Sequence, residues 1–262
     1  MNVDVVAGWD KGTFSFEGFT HDTYRRGKGP GVVVMHEMPG LTPNVAAFGN
    51  RVVDAGFTVV MPHLFGEVGR PPTPGYVLKS MLGGCVSSEF ANWALKTTSP
   101  KTLWCRALAR SLHEELGGKG VGAVGMCFTG GFALAMMVDD AVVAPVLSQP
   151  SLPFAAGKAR SADLNLSDDD LARIKERAKQ GQCVLGLRFT GDPAVPAARF
   201  ERLRQELGDR FMAVEIDSSK GNPAGVPRTA HSVLTEHLVD RPGHPTHDAL
   251  ERVLAFFGER LK

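Results

Sequence analysis

The stretch Val121-Gly122-Ala123-Val124-Gly125-Met126-Cys127-Phe128-Thr129-Gly130-Gly131 sets a thiol among glycines where an apolar run ends. A nucleophile at a tight strand-to-helix turn sits in strained φ/ψ, and small neighbours let adjacent backbone pass close to it. Thr129 occupies the place where the second glycine of that pattern usually falls, and Gly130 comes one residue later. A helix starting behind Cys127 would favour the thiolate, and the Phe128 N–H would form half of an oxyanion hole. Such a thiol needs a base and a group that orients the base. Asp192, in Gly191-Asp192-Pro193, follows one apolar run, and His231, in Thr229-Ala230-His231-Ser232, follows the next. Glu37 and Met38 follow an earlier run, in His36-Glu37-Met38-Pro39-Gly40. The Met38 N–H would be the second oxyanion donor, with Glu37 facing the same crevice. Each residue alone has a plainer reading: a buried junction Cys, a helix N-cap, a surface His, a solvated loop acid. The order Cys127, Asp192, His231, each beyond a strand or its loop, favours covalent acyl chemistry over the sum of those readings.

Other constellations carry less. Gly120-x-Gly122-x-x-Gly125 matches a dinucleotide fingerprint, but its apolar residues are themselves the strand rather than the turn after one. His244 and His247 flank Pro245 and Thr246, which suits a helix start better than a metal site. No metal or cofactor is implied. Cys85, Cys105 and Cys183 form no C-x-x-C pair with each other or with Cys127, so neither a disulfide framework nor a zinc ribbon is indicated. Cys105 falls on the inner stripe of a helix; Cys85 is a candidate to line the crevice. Trp93 and Trp104 read as packing residues.

The elements that must position these groups alternate along the chain. Strands are expected at Gly31–His36, Phe57–Met61, Val121–Met126, Ala141–Leu147, Cys183–Thr190 and Phe211–Ile216, with an edge or hairpin strand at Thr13–Phe19. Helices are expected at Asn44–Ala55, Pro100–Leu116, Gly130–Val138, Ser167–Gln180, Ala197–Leu207 and Thr246–Leu261. Continuous apolar strands separated by helices predict an α/β fold, a mostly parallel sheet covered on both faces. Two long loops, His63–Pro74 and Asp217–Thr229, are candidates for function. No composition shift marks a linker across the 262 residues, so residues 1–262 are expected to form a single domain. With 29 Lys+Arg against 28 Asp+Glu the chain lacks the basic excess of a nucleic-acid binder. No apolar run approaches a membrane span and no secretory leader is visible, so a cytoplasmic enzyme with a small-molecule partner, and neither nucleic acid nor membrane, is the expectation. Nothing in the sequence sets an oligomeric state.

HEMPG at 36–40, GMCFTGG at 125–131, the D-x-x-V-P of Asp192–Pro196 and His231-Ser232 together resemble the dienelactone hydrolase family of the α/β-hydrolase superfamily. The likeness runs from about Gly31 to the C-terminus, and cysteine in place of serine at the elbow is its most discriminating feature. It implies Cys127 as nucleophile, His231 as base and Asp192 as the acid that orients it. It also implies that Glu37 interacts with the resting thiol and releases it when substrate arrives. The implied reaction is hydrolysis of a lactone or carboxylic ester through an acyl-thioester, as in the degradation of chlorinated aromatics. Thr235 stands where founding members carry an arginine for the substrate carboxylate, and Ala230 replaces a glycine. Thr235 is thus a candidate substrate contact, and Arg70, Arg106 or Arg228 could supply the replacement cation, with Arg70 the first choice. Competing readings keep the thioester but pass the acyl group to another acceptor, or use the fold for binding alone, or for thiol redox chemistry.

Overall fold

The computed structural model describes residues 5–81, 98–152 and 158–262. Eight strands form one sheet: β1 (Asp10–Phe16), β2 (Phe19–Arg26), β3 (Gly31–Met35), β4 (Thr58–Pro62), β5 (Val121–Met126), β6 (Val142–Ser148), β7 (Val184–Phe189) and β8 (Phe211–Ile216). Their order is β1-β2-β4-β3-β5-β6-β7-β8. Every pair from β4 to β8 is parallel, while β1–β2 and β2–β4 are antiparallel. The six parallel strands are near-continuous apolar runs because helices cover both faces and leave no solvated side to alternate with.

The edge or hairpin strand expected at Thr13–Phe19 is found as β1 at the edge of the sheet, with earlier bounds, Asp10–Phe16. The expected stretch straddles a hairpin: Glu17 (φ 47°) and Gly18 (φ 81°) turn the chain between β1 and β2, whose ends pair Phe16 with Phe19. A two-residue turn with both central residues at positive φ matches the twist of the strands it joins. β2, whose residues Phe19–Arg26 read FTHDTYRR, is mostly polar and carries no apolar run to announce it.

The helices are α1 (Pro43–Asp54), α2 (Pro74–Met81), α3 (Pro100–Leu116), α4 (Gly130–Met136), α5 (Lys158–Ser161), α6 (Asp168–Lys179), α7 (Ala197–Leu207) and α8 (Pro245–Leu261). Caps set several of their ends. Thr42, Ser99 and Ser167 each accept a backbone N–H from the first turn of α1, α3 and α6. α6 opens on Asp168, Asp169 and Asp170 and closes with Arg177 and Lys179, matching the helix dipole at both ends.

One face of the sheet buries Phe48 and Val52 of α1 with Phe256 and Phe257 of α8. The opposite face buries Trp104, Cys105 and Leu108 of α3 with Phe132 and Met136 of α4. A third cluster joins Ile174 of α6 to Phe200 and Leu203 of α7. Cys105 and Trp104 are therefore core residues. Cys85 and Trp93 lie outside the described residues.

Parallel strands bring their C-terminal ends to one edge. The chain leaves β3 toward β4 on one side, whereas β5 lies on the other, so the connections diverge there and open a crevice. The loops that follow β3, β5, β6, β7 and β8 all reach that edge, and they carry the candidate residues.

Candidate active site

Cys127 follows β5 directly with φ 54°, in the left-handed region that non-glycine residues rarely occupy. Two contacts account for its glycines. A Cβ on Gly125 would lie 2.0 Å from the Thr129 carbonyl oxygen, and one on Gly130 would lie 2.7 Å from the Pro150 Cα. The close approach expected of the second glycine is thus made by Gly130, after a 3₁₀ turn over Cys127–Thr129. Thr129 fills the intervening slot with its hydroxyl. Its Oγ1 accepts from the Met126 N–H at 2.9 Å and lies 3.1 Å from the Met35 carbonyl and 3.2 Å from that of His36. The extra residue therefore laces the ends of β5 and β3 together instead of spoiling the elbow.

His231 Nδ1 lies 2.6 Å from Asp192 Oδ2. The other Asp192 oxygen accepts the Ala194 N–H at 2.9 Å, a local turn that fixes the carboxylate. Asp192 is not the cap of α7, whose N-cap is Pro196. Cys127 lines the same cavity as this imidazole and acts on its charge. His231 is pushed up to about 11: burial opposes its charge, but Cys127 and Asp192 outweigh burial. The backbone of the histidine loop is held by His237, whose Nδ1 accepts the N–H groups of His231 at 3.4 Å and Ser232 at 3.2 Å. An acceptor ring nitrogen belongs to a neutral imidazole, and burial, with His231 alongside, holds His237 below its usual range.

Glu37 is buried, 3% exposed. Its carboxyl oxygens receive Ser232 Oγ at 2.6 Å, Gln149 Nε2 at 3.1 Å and the Thr235 hydroxyl. Burial raises its pKa, while the Ser232 and Thr235 donors and His231 pull it back. The expected contact between Glu37 and the resting thiol is not among these bonds. Cys127 Sγ instead lies 2.9 Å from Ser151 Oγ, and the Ser151 N–H donates to the Cys127 carbonyl at 3.0 Å.

His36 sets the loop that carries Glu37 and Met38. Its Nε2 accepts the Leu64 N–H at 3.0 Å, so Nδ1 carries the proton and donates to the Glu37 carbonyl at 3.1 Å. Complete burial holds His36 down at about 3. An unfolded chain takes up a proton near 6.5 that the folded chain refuses until about 3. Stability is therefore whole above 6.5 and falls as pH drops below it, by up to ~1.4 kcal/mol per pH unit. Thermal melts between pH 7 and 4.5 should show this fall, and His36→Gln, which keeps an acceptor for Leu64 without a titrating ring, should flatten it. An equally steep fall in the variant would assign the acid loss to other groups.

These residues meet in a cavity of about 850 Å³ lined by Glu37, Met38, Cys127, Phe128, Asp192 and His231, with apolar walls from Pro72, Val77, Leu152 and Pro193. Arg228 and Thr229, from the long Asp217–Thr229 loop, complete its rim. Two substrate-contact expectations change here. Thr235 is buried and spends its hydroxyl on Glu37, outside the lining. Arg70 pairs with Glu67 at 2.7 Å and stacks 4.0 Å over Tyr76, also outside the lining. Arg106 is buried against Asp170 and the Ala135 carbonyl. Among the described lining residues Arg228 is the one Lys or Arg. His244 caps α8 and His247 pairs with Asp240, and no metal-holding cluster occurs among the described residues.

An open, mostly parallel sheet with a Cys elbow, an acid beyond β7 and a histidine beyond β8 defines the α/β-hydrolase class. The profile of the dienelactone hydrolase family matches residues 16–261, and the chain belongs to that family. It is a carboxylic ester or lactone hydrolase acting on small molecules. A Saccharomyces cerevisiae protein named "Putative carboxymethylenebutenolidase" is 25% identical over 74% of this chain and 69% of its own length. Among solved structures, a dienelactone hydrolase-like promiscuous phosphotriesterase from metagenomic libraries superposes with TM-score 0.64 at 17% identity, covering 97% of this chain and 98% of that one. Dienelactone hydrolase from Anabaena variabilis superposes with TM-score 0.56 at 14% identity over 97% and 98% of the two chains. No described helix is long and apolar enough to cross a membrane.

Proposed function

We propose that this hydrolase cleaves its ester or lactone through an acyl-thioester on Cys127, with His231 as acid and base and Asp192 as its orienting partner. The supporting observation is that Cys127, His231 and Asp192 line one cavity, with His231 Nδ1 2.6 Å from Asp192 Oδ2. The Cys127 thiolate attacks the acyl carbon, and the new oxyanion is received by the N–H groups of Met38 and Phe128. The tetrahedral adduct collapses, the acyl C–O bond breaks, and the departing oxygen takes the proton of the His231 imidazolium.

The next step follows from what holds His231 charged. The thioester sulfur is neutral, so the thiolate that sustained the imidazolium is gone. The imidazole left behind is a base for the water that attacks the thioester, and collapse of that adduct returns the thiolate and the imidazolium together. Stoichiometric alkylation of Cys127 should abolish hydrolysis of lactones and aryl esters alike. Hydrolysis surviving full alkylation would refute the thioester route.

Arg228 gives the substrate side of this proposal. Arginine binds a carboxylate bidentately, and for an exposed arginine such as Arg228 the contact is worth roughly 0.5–1 kcal/mol. A substrate carrying a carboxylate should therefore be preferred to its methyl ester by about 2- to 5-fold in kcat/KM. Arg228→Ala should shrink that ratio toward one, and a ratio that survives it would exclude Arg228 as the recognition cation.

A further inference from the structure

Two observations on the nucleophile point the same way. The Glu37 carboxyl is occupied by Ser232, Thr235 and Gln149, from the loops after β8 and β6. Gln149 is itself pinned, since its Oε1 accepts the Val233 N–H at 3.1 Å and the Ser148 hydroxyl. A carboxyl held by three donors, one of them locked from behind, is not available to restrain the thiol. Ser151 Oγ, by contrast, lies 2.9 Å from Cys127 Sγ, and the same residue donates its N–H to the Cys127 carbonyl at 3.0 Å.

We infer that Ser151 is the positioning residue of the nucleophile: its hydroxyl donates to the Cys127 thiolate and holds it toward His231, the part that a free carboxylate at position 37 would otherwise contest. This rests on Cys127 as the nucleophile. While sulfur keeps its proton, either atom can donate. Once sulfur is ionised only the hydroxyl can, so the bond strengthens in the charged form and favours it. The backbone bond fixes where the hydroxyl sits, because the same residue is tied to Cys127 at two points. Acylation removes the charge and weakens the bond; deacylation restores both, so the hydroxyl also stabilises the thiolate as it leaves. No atom is consumed and no proton changes hands at Ser151.

Among the described residues, the titratable groups sharing the cavity with Cys127 are His231, Asp192, Glu37, Glu236, His237 and Arg228. Glu236 is engaged by Asn44 at 2.7 Å, and His237 by two backbone N–H groups, so neither competes for the sulfur.

The test is the rate of Cys127 alkylation by iodoacetamide as a function of pH, which requires no substrate. Ser151→Ala keeps the backbone N–H and should move the half-maximal pH upward by about one unit, a tenfold loss of thiolate below the midpoint. Ser151→Thr, which keeps a hydroxyl, should restore the wild-type midpoint. A purely structural role for Ser151 would alter Tm without moving that midpoint. An unmoved midpoint in Ser151→Ala would overturn the inference, as would a larger upward or downward move in Glu37→Gln. Failure of the proposed function shows differently: ester hydrolysis would persist in fully alkylated protein, whatever Ser151 does to the midpoint.

Discussion

Cys127→Ala is expected to lower ester turnover by a factor on the order of 10³ or more, with His231→Ala about as damaging. Groups that act as a unit fail together, because in the proposed mechanism the thiol and the imidazole share each step. The double variant should therefore be no worse than either single one, which is the sharper check. Additive losses would mean that the two residues do not share a step. Cys105→Ala and Cys183→Ala should retain turnover. Cys105 is wholly buried on the inner face of α3, and Cys183, before β7, receives Arg260 Nη2 at 2.9 Å. Loss of stability at Cys105 is the effect to expect there, from the cavity a missing sulfur leaves in a packed layer. Turnover by Cys127→Ala near the wild-type rate would remove the thioester mechanism.

Arg199→Ala is expected to cost about 3–5 kcal/mol of stability, the larger part from buried carbonyls left unpaired. The Arg199 guanidinium, on α7 and buried, donates to the carbonyl oxygens of Pro150 at 2.7 Å, Asp163 at 2.9 Å and Ala194 at 3.3 Å. Burial pulls it down to about 10, with Asp163 and Asp192 opposing that fall, so it stays charged at neutral pH. Those carbonyls belong to the loop before Ser151, the segment leading to α6, and the loop that carries Asp192. One side chain thus ties the support of the nucleophile to the support of the base. For a chain of this size the loss corresponds to a fall in Tm of roughly 6–20 °C. Arg199→Lys keeps the charge but not the planar fork, so it should recover only part of the Tm. An Arg199→Ala melting curve within about 2 °C of wild type would show that water replaces the guanidinium at these carbonyls.

Much of the molecule was legible in the residue order. The parallel strands announce themselves because burial on both faces demands unbroken apolar runs, as in Gly31–Met35 and Val121–Met126. α3 and α7 were legible to the residue, since Pro100, Gly117, Pro196 and Gly208 punctuate their ends. Cys127, Asp192 and His231 were legible as a set because a parallel sheet makes the positions just past its strands neighbours, however far apart in sequence. The partner strand β2 was not, since a half-exposed strand near the sheet edge need not be apolar and the two-residue turn before it looks like any Glu-Gly pair.

Partnerships among those positions are a different matter, and only the packed chain decided them. Glu37 could have met the thiol, and Thr235 or Arg70 the substrate, on any reading of spacing. Which carboxyl a hydroxyl reaches depends on loop paths set by Thr129 bridging β3 and β5, His36 gripping Leu64, and Gln149 held at φ 36°. Ser151, His237 and Arg199 carry no local signal, because a hydroxyl, an imidazole or a guanidinium becomes special only through what burial leaves it to bond. Residue order determines which groups arrive at the sheet edge, since strand ends and breakers are local properties. Their pairing is a competition among donors and acceptors excluded from water, and that competition exists only once the loops have closed over the edge.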